Sequence, residues 1–211
     1  KANSGSKTYD GEELEVSGFQ NWNEEHQGIE VTANEQTYYV SGLTSEARGT
    51  DVADSKASIP VAGTAVVKDA EGNVVTDQFS VKVENGSLTI SKRDVTLASA
   101  ALSKEYDGTA LTNADAADLG AAVNERGLLV ETGWADGEGA TYSFTGSQTL
   151  VGFSANSFTY ALSEGTKADN YNIDKTEGQL TVTSREAAFE VTVKANSGSK
   201  TYDGEELEVS G

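Results

Sequence analysis

The sequence predicts a mostly β chain of tandem, elongated antiparallel β domains, sandwich or β-grasp-like, with at most short helical turns and joined end to end. Three observations lead there. Apolar and polar residues alternate in short runs, Gly, Asn and Asp cluster between those runs, and a domain-sized pattern recurs along the 211 residues.

The recurrence sets the expected boundaries. KANSGSKTYDGEELEVSG occupies residues 1–18 and returns unchanged at 194–211. Its inner string, Ser6-Lys7-Thr8-Tyr9-Asp10-Gly11, reappears as Ser103-Lys104-Glu105-Tyr106-Asp107-Gly108 and as Ser199-Lys200-Thr201-Tyr202-Asp203-Gly204. The closing segments agree as well, Phe79 through Gly86-Ser87-Leu88-Thr89-Ile90 matching Tyr171 through Gly178-Gln179-Leu180-Thr181-Val182. We therefore expect a repeat unit A over 1–93, a repeat unit B over 94–193, and the incomplete start of the next unit A over 194–211. Two units of about a hundred residues are each long enough to bury a core. Exact identity at solvent-type Lys, Ser and Glu points to recent duplication of a segment within a longer array, where length or copy number is itself useful.

Along the chain, the stretch around Phe19, Trp22 and His26 has neither a clean helical nor a clean strand period. Phe79-Ser80-Val81-Lys82-Val83-Glu84 alternates strictly, which predicts a half-buried strand with Phe79, Val81 and Val83 on one face. Residues 113–123 carry a short helical pattern capped by Asn113 and interrupted by Gly120. Tyr142-Ser143-Phe144, Phe158 through Leu162, and Leu180-Thr181-Val182 read as further strands. Between such runs, Asn85-Gly86, Asp69 through Asn73, and Asp136 through Gly139 supply turn residues that tolerate positive φ. From Ser87 to Asp107 there is no Gly or Pro, so no flexible linker separates the units, and two strands meet with little slack near Lys92–Asp94.

Charge and sulfur content narrow the function classes. Acidic residues number 34 against 15 basic ones, a net charge of −19, which repels nucleic acid and favours solubility and self-repulsion between repeats. There is no Cys and no Met, which fits exposed extracellular life better than intracellular redox or thiolate-metal chemistry. No apolar run is long enough to insert into a membrane within this segment. A secretion signal or wall anchor is expected in a region outside it.

In unit B, Ser103 through Gly108, Leu111-Thr112, the Gly-Ser-Gln-Thr-Leu-Val-Gly run at 146–152, Asn170-Tyr171-Asn172-Ile173, and Gly178 through Val182 occur in order. This order resembles the YDG/MBG-type repeat modules of large bacterial, chiefly Gram-positive, cell-surface proteins. Unit A keeps the opening and closing motifs and departs in the middle, around Trp22 and Tyr38-Tyr39. The resemblance implies β-rich stalk or adhesin modules outside the cell, anchored to the cell wall elsewhere, and implies no particular ligand.

The repeated motif residues Tyr9, Asp10, Gly11, Tyr106, Asp107, Gly108, Tyr202, Asp203 and Gly204 are expected to be structural. Gly supplies a backbone conformation barred to other residues, Asp bonds nearby backbone, and Tyr buries its ring while keeping its hydroxyl wet. A calcium site would draw on Asp69, Glu71, Asp115, Asp118, Asp136 or Glu138, none of which forms a DxDxDG loop. A Lys–Asn isopeptide crosslink would use Lys7, Lys104 or Lys200. His26 is the single histidine, and neither a Cys nucleophile, a zinc spacing nor a phosphate loop exists, so no enzyme and no cofactor are expected. The leading expectation is a non-enzymatic structural repeat, a stalk whose partners are the adjacent repeats of the same chain and which projects a distal binding region. The alternative is a multivalent module whose units themselves bind host glycan or matrix protein, with Trp22 and Tyr38-Tyr39 the place to look.

Overall fold

The computed structural model describes all of Lys1–Gly211. Its regular structure is nineteen short strands and four single-turn 3₁₀ segments, distributed over several small sheets. Every strand pair joins residues within 1–91 or within 93–183.

The expectation of antiparallel domains is corrected in part. Gly5–Thr8 runs parallel to Gly86–Ser91, and Leu102–Glu105 runs parallel to Gln179–Thr183, in matching registers (Gly5 opposite Leu88, Leu102 opposite Leu180). Arg93–Ala98 is also parallel to Tyr171–Thr176. Parallel neighbours need long connections, and each of these pairs joins the opening of a unit to its close, with the rest of the unit between. Antiparallel hairpins fill that interval, chiefly Gly28–Ala33 with Gln36–Thr44, and Ala140–Phe144 with Phe158–Leu162.

The two recurrent glycines in the closing motifs are explained by this crossing. A Cβ on Gly86 would lie 1.8 Å from the Asn3 carbonyl oxygen, and one on Gly178 would lie 2.3 Å from that of Ala100. The opening segment of each unit passes directly over its closing strand, and only glycine leaves room.

Two readings of local structure change. Residues 113–123 hold a single 3₁₀ turn, Asn113–Asp115, and Thr112 rather than Asn113 is its cap, its backbone N–H donating to the Asp115 carboxylate at 2.7 Å. Asn113 instead turns inward, donating to the Gly127 carbonyl and accepting from Asn156 Nδ2 at 2.7 Å. Residues 79–84, the cleanest alternation in the chain, form no strand, and Val81 and Val83 are exposed. Their counterpart Tyr171–Thr176 is a strand because Arg93–Ala98 lies beside it, whereas 79–84 has no neighbour on that edge. Asn85-Gly86 accordingly leads into Gly86–Ser91 rather than closing a hairpin.

Three apolar clusters hold the molecule. One lies within the first half (Ala2, Phe19, Ile29, Val40, Val67) and one within the second (Ala100, Leu102, Leu111, Ala116, Leu180, Val182). The largest is shared, combining Val16, Ile59, Leu88 and Ile90 with Val95, Leu97, Leu128 and Phe158. Between the strands that feed it, Gly86–Ser91 and Arg93–Ala98, only Lys92 is left as a connector. Residues 184–211 carry no strand, and all of them except Arg185 are exposed.

Candidate functional site

The Tyr-Asp-Gly motif folds the same way in all three copies. Lys7, Lys104 and Lys200 each pair with the Asp three residues on, at 2.6, 3.1 and 2.8 Å. Each Asp also accepts the N–H two residues beyond it, from Glu12, Thr109 and Glu205. The Gly takes φ of +85°, +86° and +82°, which completes a turn that side chains would resist. These bonds to the ionised form hold the carboxyls of Asp10 and Asp203 below the usual carboxylate range, the lysine bond contributing most. For Asp107 the Thr109 backbone N–H leads, followed by the Thr109 hydroxyl and Lys104, and its pKa falls to about 2. The three lysines considered for an isopeptide bond are thus engaged by their own motif aspartates.

The tyrosines of the three copies have different surroundings. Tyr9 is 3% exposed, Tyr106 is half-buried against the second-half cluster, and Tyr202 is 93% exposed. Tyr9 reaches across the boundary at Lys92. Its ring meets Tyr171 edge-on, with centroids 5.4 Å apart, and Trp134 packs on Tyr171 at 4.9 Å. Both phenols converge on one carboxylate: Tyr9 donates to Glu138 Oε1, and Tyr171 donates to Glu138 Oε2 at 2.8 Å. The Ala135 N–H donates to the Tyr171 oxygen at 3.1 Å, fixing the direction in which its proton points. Burial, then the bond to Glu138, pushes both phenols up, Tyr171 to about 12 and Tyr9 further.

A second set of contacts flanks this aromatic centre. Asn170, 1% exposed, accepts the Val52 N–H at 3.0 Å and donates to Asp51 Oδ1 at 2.8 Å. Lys167 pairs with the other Asp51 oxygen, and this bond, then Asn170, holds Asp51 below the usual carboxylate range. Asp51 starts the Val52–Asp54 turn and Asn170 ends the Ala168–Asn170 turn, so a 3₁₀ segment from each half meets at the boundary. The site is therefore a junction: a charge-assisted aromatic centre with a polar clasp beside it. Sequence reasoning found Tyr9 through its repetition and found Asn170 and Tyr171 as motif residues. It considered Glu138 as a turn residue and as a calcium candidate.

The remaining candidates are separate from this junction. No three Asp, Glu or His side chains converge on a point where a metal ion would sit. Asp115 accepts the Thr112 N–H, Asp69 accepts the Asn73 N–H at 2.7 Å, and Glu138 receives the two phenols. His26 stacks on Tyr39, 3.8 Å between ring centroids and 3° from parallel, with Nδ1 3.2 Å from Asn23 Oδ1. Trp22 remains 41% exposed at the rim of an open cleft of 470 Å³ that includes Asn3, Phe19, Leu43 and Glu46. No helix is long and apolar enough to cross a membrane.

No protein-family model, no curated protein and no solved structure matches the chain.

Proposed function

We propose that the chain is a non-enzymatic structural repeat of a bacterial cell-surface adhesin, a stalk that projects a distal binding region from the wall. Residues 1–93 and 94–193 are successive units, and 194–211 begins the next. The observation that carries this reading is the junction. A single connecting residue, Lys92, and the Tyr9–Glu138–Tyr171 centre leave the two units little room to pivot. A stalk needs stiffness between modules, and burying a tyrosine of one unit in the next supplies it. The surface location rests on the resemblance of the ordered unit B motifs to YDG/MBG-type modules and on a Cys- and Met-free composition. Small-angle scattering on proteins with one, two and three A-B pairs tests it. The maximum dimension should grow in proportion to the number of pairs, and a compact profile that does not lengthen would reject a stalk.

A second reading is favoured by Trp22, whose exposed ring borders a cleft large enough for a saccharide ring. There, each unit A binds host glycan or matrix protein and repetition supplies avidity. Binding to a glycan array that is lost in Trp22→Ala, with the fold intact by circular dichroism, would favour it.

A further inference from the structure

The parallel segments decide how each unit takes up a pull along the chain. In the second half, Arg93 through Ala98 lie opposite Tyr171 through Thr176, and Leu102 through Glu105 lie opposite Leu180 through Thr183. Opening and closing segments thus run side by side and in the same direction, from 93 to 105 and from 171 to 183. In the first half, Gly5 through Thr8 lie opposite Leu88 through Ser91 in the same way. Lys92 alone separates the closing strand of the first half, Gly86–Ser91, from the opening strand of the second, Arg93–Ala98.

A pull along the chain draws the opening segment toward its N-terminal end and the closing segment toward its C-terminal end. For parallel neighbours these two forces oppose each other along the strands. The bonds between the segments, evenly spaced along the pair, are then loaded together rather than one after another. The antiparallel hairpins lie off this path. Gln36–Thr44 with Ala62–Lys68, and Ala140–Phe144 with Phe158–Leu162, sit in the chain between an opening and a closing segment, and they carry no load until that pair has parted.

Two groups of bonds keep the pairing unbroken. In the second half the two parallel ladders are interrupted at the Ala100–Gly178 crossing, and a buried polar knot fills the interruption. The Ser99 N–H donates to the Thr176 carbonyl at 3.1 Å, and the Gly178 N–H donates to Ser99 Oγ at 2.9 Å. Asn156, fully buried, joins both segments: its backbone N–H donates to the Gly178 carbonyl at 2.8 Å and its Nδ2 to the Ala100 carbonyl at 3.0 Å, while its own carbonyl accepts from Ser99 Oγ at 2.7 Å. The motif turn then closes the far end of the pair in both halves. The Tyr9 N–H donates to the Ser91 carbonyl and the Tyr106 N–H to the Thr183 carbonyl, each at 2.9 Å, before the Lys–Asp pair turns the chain away.

From this we infer that the paired opening and closing segments are a tension-bearing clamp, one in each unit, and that load passes from clamp to clamp through Lys92. The chain then does more than hold a distal region at a distance: it resists being drawn out when that region is pulled. The repeated Tyr-Asp-Gly turn ends each clamp, and the buried Ser99–Asn156–Gly178 knot keeps the second one continuous across its crossing. The inference rests on the stalk reading only for the direction of the load. Growth of particle length with repeat number tests the stalk, whereas the response to force tests the pairing, so the two can fail separately.

The test pulls on the full chain in optical tweezers. The chain has no cysteine, so handles attach only where cysteines are introduced. Lys92→Cys with Ser184→Cys, both at exposed positions, loads the second clamp along its strands. Lys92→Cys with Asp169→Cys, also exposed, pulls the two segments apart at their common end and peels them bond by bond. At equal loading rate the first geometry should need a several-fold higher force. It should then release roughly 300 Å of chain, less the folded span, at about 3.3 Å per extended residue. Glu105→His with Thr183→His, opposed and exposed, sets two imidazoles across the clamp, and nickel bridging them should raise the force in the first geometry further. Equal forces in the two geometries would overturn the inference, as would nickel that protects the variant from urea without raising the force along the strands.

Discussion

Tyr9 and Tyr202 share a local sequence and a local turn, and only Tyr9 is enclosed by a second half of the molecule. Tyr9→Phe removes a buried bond to a carboxylate and should cost about 1–3 kcal/mol of unfolding free energy. Tyr9→Ala, which also removes the ring, should cost about 3–5 kcal/mol. Tyr202→Ala should change stability by less than about 0.5 kcal/mol, as expected of an exposed side chain. Urea denaturation of the three variants checks the set. The same centre sets the alkaline behaviour. Unfolded phenols ionise near pH 10, as a rough reference, and the folded Tyr9 and Tyr171 are both raised, Tyr171 to about 12. A raised phenol contributes stability that is complete below the unfolded value and is lost as pH climbs through the folded one. Unfolding free energy should therefore fall as pH rises above about 10, and Tyr9→Phe should flatten that fall.

Among the elements, the parallel pair of opening and closing strands defines each half, and its tightest point is the crossing at Gly86 and Gly178. Neither residue has a positive φ, so an alanine there is opposed by the crossing backbone rather than by its own conformation. Gly86→Ala should lower the thermal midpoint by an amount equivalent to about 1–3 kcal/mol or more, the ordinary cost of forcing bulk into a filled space. Scanning calorimetry reads it directly. The β character of these elements was legible in alternation, as Tyr142-Ser143-Phe144 and Leu180-Thr181-Val182 illustrate, both in strands. Parallel pairing was not, because a period of two is the same whichever way the neighbour runs. Residues 79–84 show the converse: a strand needs a partner as well as a pattern, and this edge has none. At the junction, repetition marked Tyr9. Glu138 carried no distinguishing signal in a chain with 34 acidic residues, because its role comes from two phenols brought together only by folding.

At the scale of the whole molecule, the decisive feature is how the halves are joined. Their strand pairs are separate, but their largest apolar cluster is common, and Asn170 of the second half bonds Asp51 and Val52 of the first. Flexible tandem domains usually meet through smaller and more polar surfaces and move relative to each other. In this chain the connector is one residue long, and Tyr9 of the first half packs in the shared cluster against Tyr171 of the second. Residual dipolar couplings measured on the backbone amides of residues 5–91 and 93–183 distinguish a stiff junction from a hinged one. A stiff junction predicts that a single alignment tensor fits both sets in the relative orientation of the structure; two tensors of different magnitude would show that the halves reorient independently and would contradict it.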